Sequence, residues 1–297
     1  MAMKQFIIKF LCCGALVVAI DYAVGITHSW IFGNLPDKTS MVSTIYYSLF
    51  KKSADVLILG SSTANHHYNS KMMGDSLGIS VYNSGLDGRD MIYFDVVLQS
   101  ALERQIPKYV ILDIGAPQLD GGWVNRITDT KLYYGISSAV TNYYDAETDY
   151  QQRLKLKSAL YRYNKTFSYL IRVLLDAPNI QNGYAPLYGQ REGFERVEID
   201  GFTVDSLELM HLDNIVLICK NNGIDLMLIQ SPQAHDNTSF DKWISDYAKA
   251  KGILLIQENK VDYYFNNPEL FYDGNHLNSK GADYLTGRII KVILANI

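Results

Sequence analysis

Residues 55–62 read DVLILGSS: one aspartate, four apolar residues and a glycine, then two serines. A short, unbroken apolar run closed by Gly-Ser-Ser is the pattern of a buried parallel strand opening into a loop and a helix. The unit recurs along the chain. After a short helix that Asn69 or Ser70 can cap and Gly78 stops, the next apolar run is Ile79–Tyr82. Met91–Gln105 has helical spacing of apolar residues and leads through Pro107 into YVILDI at 109–114. Ser206–Asn222 followed by GIDLMLI at 223–229, and Asp241–Lys251 followed by Gly252–Ile256, repeat the helix-then-strand order. This alternation predicts an α/β fold with a mainly parallel sheet covered by helices on both faces.

The chain has 297 residues, 48% hydrophobic and 20% charged, enough apolar content for a large core in one main domain. A net charge of -4 and the lack of a clustered basic stripe exclude a strong electrostatic pull on a phosphate backbone, so nucleic acid is not an expected partner. Cys12 and Cys13 lie in the apolar N-terminal stretch and Cys219 stands alone in a helical segment, a spacing that offers neither a disulfide framework nor a zinc site.

From Phe6 to Ile26 the sequence is apolar except at Lys9 and Asp21. Such a run rises roughly 30 Å as a helix and reads as a membrane segment, with Trp30 and Phe32 at interfacial depth. A cleaved signal peptide is the rival reading, but Asp21 and Tyr22 follow the apolar core where small residues would mark a cleavage site. Lys4 and Lys9 favour an N-terminus inside, which puts the body of the protein outside the cytoplasm. The expected organisation is an anchor at 1–32, a linker and short helix at 33–54, with Pro36 in the linker, and a domain at 55–297. Lys131–Asp200 interrupts the rhythm and is rich in tyrosine, from Tyr133 through Tyr169 to Tyr188. It reads as an insertion over one end of the sheet, where ligands bind in open parallel sheets.

A serine becomes a nucleophile when a base takes its proton and a third group holds the base in the right tautomer. Ser61 and Ser62 follow the first strand, where a side chain can project from the sheet edge. The segment FYDGNHLNSKGADYLT at 271–286 places Asp273 and His276 in one short loop ahead of a terminal helix starting near Asn278 or Ser279 and burying Leu285, Ile289 and Ile293. The carboxylate can reach one ring nitrogen while the other faces a serine across the sheet edge. His66-His67 lacks a carboxylate at ligand spacing and reads as a pair of solvent-facing or cleft-wall histidines. Gly85-x-x-Gly88 lacks the full dinucleotide fingerprint. His235, after a strand end, reads as a loop histidine that can enter the cleft. No cofactor or metal site is expected.

Together these blocks resemble the SGNH (GDSL-like) hydrolase superfamily over roughly 55–297. Leu59-Gly60-Ser61-Ser62 looks like its first block, with Ser61 in place of the usual aspartate; Tyr82-Asn83-Ser84-Gly85, followed by Leu86-Asp87-Gly88, looks like its second. Asp273-x-x-His276 matches the last. The resemblance implies a flavodoxin-like three-layer α/β/α sandwich, with Ser62 as nucleophile, His276 as base, Asp273 as its orienter, and the amides of Ser62 and Gly85 as oxyanion donors. The third block departs: Asp113-Ile114-Gly115-Ala116-Pro117-Gln118 lacks the family's asparagine, which leaves Gln118 or Asn65 as substitutes. With its anchor and serine pair, the chain is similar to the membrane-anchored DltD-like and alginate-acetylation-like branches. They imply an esterase or O-acyltransferase for short acyl groups on cell-envelope glycans, an acylated glycan or acyl donor as substrate, and a membrane-bound acyltransferase as a candidate partner. The alternative is a catalytically weak or inactive glycan-binding or assembly subunit.

Overall fold

The computed structural model describes residues 2–34, 41–52, 54–122, 127–164, 166, 182–190 and 196–296. Most of the linker, including Pro36, and Tyr169 of the insertion lie outside them. The chain divides into two compact units, Met1–Tyr46 with Asp129–Ala177, and Tyr47–Thr128 with Pro178–Ile297. The insertion's first part therefore groups with the N-terminal segment, a division that differs from the sequential boundaries expected above.

In the first unit, α1 runs Ala2–Asn34, α2 Met41–Tyr46, α6 Ser138–Glu147, α7 Tyr150–Leu156 and α8 Ala159–Tyr163, the numbers between belonging to the second unit. Helix α1 is long and apolar enough to cross a membrane. It has two parts. Residues 2–20 are exposed all round. From Asp21 onward one face packs on α8: the Asp21 carboxylate accepts Ser158 Oγ at 2.6 Å and the amides of Ala159 (3.1 Å) and Leu160 (2.8 Å), satisfying the first two free N–H groups of that helix. One turn on, an added Cβ at Gly25 would stand 3.3 Å from Ala159 Cβ. His28 then stacks on Tyr163 at 4.4 Å. Asp21, Gly25, His28 and Phe32 recur at helical spacing and form that face.

In the second unit, β1 is Val56–Leu59, α3 Ser62–His67, α4 Ser70–Leu77, β2 Val81–Asn83, α5 Met91–Leu102 and β3 Tyr109–Asp113. Beyond the insertion come β4 Val197–Ile199, α9 Ser206–Asn222, β5 Asp225–Gln230, β6 His235–Asn237, α10 Thr238–Lys251, β7 Leu254–Gln257, α11 Asp262–Phe265, β8 Phe271–Asp273, β9 His276–Leu277 and α12 Ser279–Asn296. The main sheet is parallel throughout, in the order β2-β1-β3-β5-β7. This is the flavodoxin-like order, whose direction of winding reverses beside β1. Side chains alternate across it: Val56, Ile58, Ile111, Met227 and Ile229 share one buried cluster with Leu285, Ile289 and Ile293 of α12. Leu57, Leu59, Val110, Leu112 and Leu228 are buried as well, so both faces are covered.

Local signals end the helices where the sequence says. Asn69 Oδ1 accepts the Met72 amide at 3.0 Å to open α4, and Gly78 closes it in the left-handed region at φ 67°. The start of α5 carries a less ordinary group. Glu208 Oε2 accepts the Met91 amide at 3.1 Å, and burial, followed by the nearby Asp90 carboxylate, pushes the Glu208 carboxyl up to about 8. An unfolded glutamate titrates near 4.5, so the folded form holds the extra proton between these values. Its contribution to stability is complete below the lower value and is lost as pH rises through the upper one. The melting temperature should fall as pH rises from about 5 to about 8, and Glu208→Gln should flatten that fall; equal slopes for parent and variant would refute the assignment.

Candidate active site

Helix α3 starts three residues past β1, an abrupt turn that depends on Gly60. Its φ is 148°, and a Cβ there would stand 2.6 Å from Ala64 Cβ and 2.9 Å from Asp113 Cβ. The turn leaves Ser62 as the first residue of α3 at the carboxyl edge of the sheet. The structure brings Ser62, Asp273 and His276 together. His276 Nε2 lies 2.8 Å from Ser62 Oγ, and its Nδ1 lies 2.9 Å from Asp273 Oδ1. The same carboxylate oxygen accepts the amides of Asn275 (2.9 Å) and His276 (3.0 Å), which ties the loop between β8 and β9 into a fixed turn. An ionised carboxylate can only accept, so Nδ1 carries the ring proton and Nε2 presents its lone pair to the serine hydroxyl.

Two buried networks seat α3. Asn83 Nδ2 donates to the carbonyls of Ala64 (2.6 Å) and Tyr68 (3.2 Å). Beneath Ser62, the carboxyl of Asp113 receives the hydroxyls of Thr63, Ser231 and, at 2.5 Å, Tyr68. Burial pushes the Asp113 carboxyl up, and the three hydroxyls work in the opposite direction. The network joins α3 to the ends of β3 and β5.

The other site residues expected from the sequence are distributed differently. Gly85 lies under α3, where its amide donates to Asn83 Oδ1 at 2.8 Å and an added Cβ would stand 2.5 Å from Asn65 N. Its place is a close backbone crossing. Asn65 is also engaged away from the serine, donating to Asp87 Oδ1 at 2.7 Å. Gln118, by contrast, lines the cleft that holds Ser62 and His276. The Gly115 amide holds its Oε1 at 2.8 Å, and the Nε2 donors have no partner among the described residues. Gly88, at φ 68°, lines the same cleft, and so do Arg89, Ser231, His235 and Asn275. Sequence reading missed Gly88 as a site residue although Asp87-Gly88 is a turn signal with the left-handed backbone that glycine favours.

His66 and His67 are not solvent-facing. His67 is fully buried and His66 nearly so, because the short helix turns both under the loop that carries His276. His66 Nδ1 lies 2.6 Å from the Ala185 carbonyl and Nε2 3.3 Å from Asp87 Oδ1. Partial desolvation opposes the Asp87 charge, but the hydrogen bond and charge of His66, with Asn65, outweigh it and bring the carboxyl down to about 2. His235 does reach the cleft, with Nδ1 3.0 Å from Asn275 Oδ1. Among the described residues that line the cleft there is no tyrosine. Tyr133, Tyr134, Tyr144 and Tyr163 are instead buried in the first unit.

The crossing at Gly85 is directly testable. Gly85→Ala forces backbone to move and should destabilise the second unit by about 1–3 kcal/mol, read as a lower urea midpoint at unchanged slope. An unchanged midpoint would mean that α3 is not seated as described.

No family model and no curated protein matches this sequence. Among solved structures, the chain is similar to a GDSL-like lipase from Bacteroides thetaiotaomicron (12% identity, 82% of this chain and 88% of that one, TM-score 0.41). It is also similar to an acetylxylan esterase from Geobacillus stearothermophilus (13%, 80% and 92%, 0.42). A third similar structure is a lipase/acylhydrolase from Enterococcus faecalis (13%, 81% and 96%, 0.40).

Proposed function

We propose that this chain is a membrane-tethered serine esterase or O-acyltransferase that acts on short acyl groups of cell-envelope glycans through an acyl-serine intermediate. The observation that carries the reading is the unbroken hydrogen-bond chain from Ser62 through His276 to Asp273 at the edge of a cleft. Ser62 Oγ attacks the acyl carbonyl carbon while its proton passes to His276 Nε2, and Asp273 steadies the imidazolium. The tetrahedral intermediate collapses as His276 returns that proton to the departing alcohol. Water or a sugar hydroxyl, deprotonated in turn by His276, then takes the acyl group and frees Ser62. The amides of Ser62 and Gly88, with Gln118 Nε2, serve as oxyanion donors in this scheme, and Gly85 does not, since its N–H is turned to Asn83.

The cleft supports a carbohydrate over a long acyl chain. It has a volume of about 520 Å³ and is lined by the amides of Gln118, Gln230, Gln233, Asn237, Asn259 and Asn275 and by the charged Arg89, Asp120 and Asp241, with Ile114, Ile199 and Phe240 among its large apolar residues. Polar donors and acceptors in this number suit a polyhydroxylated substrate, and an acyl tunnel needs an apolar wall. For the tether, residues 2–20 form an exposed apolar helix of roughly 28 Å, close to the hydrocarbon thickness of a bilayer. Cleavage beyond Asp21 would remove a carboxylate that holds the start of α8, which favours a retained anchor.

A fluorophosphonate probe should label the full-length protein in detergent and fail on Ser62→Ala. Absence of labelling in the parent at high probe concentration would move the chain to the class of non-catalytic glycan-binding or assembly subunits. Acetylated oligosaccharide should be processed with a far higher kcat/KM than p-nitrophenyl acetate, and long-chain esters poorly; fast long-chain turnover without response to any glycan would overturn the substrate reading. Gln118→Glu keeps the acceptor for Gly115 but loses the donor, and should lower kcat about 100-fold with little change in KM. For the tether, carbonate washing should leave the chain in the membrane pellet with its N-terminal residues intact by mass; release into the wash would end the anchor reading.

A further inference from the structure

Helix α3 carries Ser62 at its first position and His67 at its last. Both ends bond to the same two-residue strand: Ser62 Oγ meets His276 Nε2 at 2.8 Å, and Leu277 N donates to His67 Nε2 at 2.9 Å. The ring of His67 stands edge-on to that of His276, with centroids 6.2 Å apart and planes at 81°. One six-residue helix thus holds the base's side chain at one end and the base's own following amide at the other.

A nitrogen that accepts an N–H carries no proton, so His67 is a neutral ring protonated on Nδ1. Nδ1 is buried and has no partner among the described residues. Burial, then the charges of His276 and His66, push the His67 ring well below the ordinary imidazole range. A buried donor left unbonded is costly, and an aliphatic side chain would avoid it. What a leucine would lose is the acceptor for Leu277. What a lysine would add is a positive charge facing the imidazolium that forms on His276 during acyl transfer.

We propose that His67 is the positioning residue of the base, a neutral acceptor that fixes the His276–Leu277 backbone in register with the nucleophile. The proposal rests on the reading of His276 as base. Without the Leu277 bond the strand is free to shift against α3, and a displacement near 1 Å at the reacting groups lowers a rate by roughly 100-fold.

Two variants separate this role from simple packing. His67→Leu removes the acceptor at similar bulk, and His67→Gln restores an uncharged acceptor at nearly the same reach. In the full-length protein, His67→Leu should lower kcat about 10- to 100-fold at unchanged KM, as a displacement of that size would, and slow fluorophosphonate labelling by the same factor. His67→Gln should recover most of both. A second readout needs no turnover: the low-field proton resonance of His276 Nδ1 against Asp273 should broaden or vanish in His67→Leu and persist in His67→Gln. Parent-like rates and resonance in His67→Leu, or equal losses in Leu and Gln variants, would overturn the proposal. If the parent itself is not labelled, the acyl-serine reading fails, and the resonance still decides whether His67 positions His276. Should His67→Leu fail to fold, His67→Met carries the same comparison.

Discussion

The tight seating of α3 at the carboxyl edge of the sheet is the constraint on which the rest of the site depends. The helix must begin almost where β1 ends, pass within contact distance of the loop after β2, and rest on the end of β3. Each demand appears as a residue with little freedom: Gly60 where a Cβ would strike Ala64 and Asp113, Gly85 where one would strike the helix backbone, and Asn83 bonded to the Ala64 carbonyl in α3 and the Tyr68 carbonyl just after it. Helix, strand and loop are thereby held closely enough for Ser62 to face a histidine 214 residues away in sequence.

The location follows from the sheet order. With β2 and β3 on either side of β1, the winding reverses there and opens a crevice between the loops that follow β1 and β3. Ser62 comes from the first of those loops and Gln118 from the second. Asp113, at the end of β3, gathers hydroxyls from α3 and from the residue after β5, so three separate chain segments share one buried carboxyl. Such a network raises the cost of any single loss, because a partly satisfied buried polar group is worse than none. The crevice is consequently built on rigid elements, while its polar walls come from strand ends such as Gln230 and Asn237 and from the segments between elements.

What was legible in the sequence had a local cause. The βα rhythm came from apolar runs of strand length, the ends of α4 from Asn69 and Gly78, and the loop before α12 from Asp273 and His276 three residues apart. What was not legible depends on distant partners. Strands β4 and β6 have three residues each, too few for a period to show, and pair with each other across the gap between 197 and 237. The burial of His67 follows from a bond to Leu277, and the engagement of Gly85 from the side chain of Asn83; neither has a signature at the residue itself. The tyrosines from Tyr133 to Tyr163 were visible as a cluster, but whether an aromatic ring lines a cleft or fills a core depends on what packs against it, which composition does not record.

Two carboxylate-histidine pairs lie side by side here, Asp273 with His276 and Asp87 with His66, their imidazoles 5.5 Å apart and nearly perpendicular. Distance alone does not say which ring can take a proton from the serine. Hydrogen-bond valence does. His66 spends Nδ1 on the Ala185 carbonyl and turns Nε2 to the Asp87 carboxylate, so both of its nitrogens have partners other than Ser62. His67 spends its lone pair on the Leu277 amide. His276 alone among the three offers a proton to a carboxylate on one side and a bare nitrogen to a hydroxyl on the other. Both neighbouring rings contact His276, yet their partners leave neither with a lone pair aimed at the serine, and only His276 directs a bare nitrogen to the Ser62 hydroxyl.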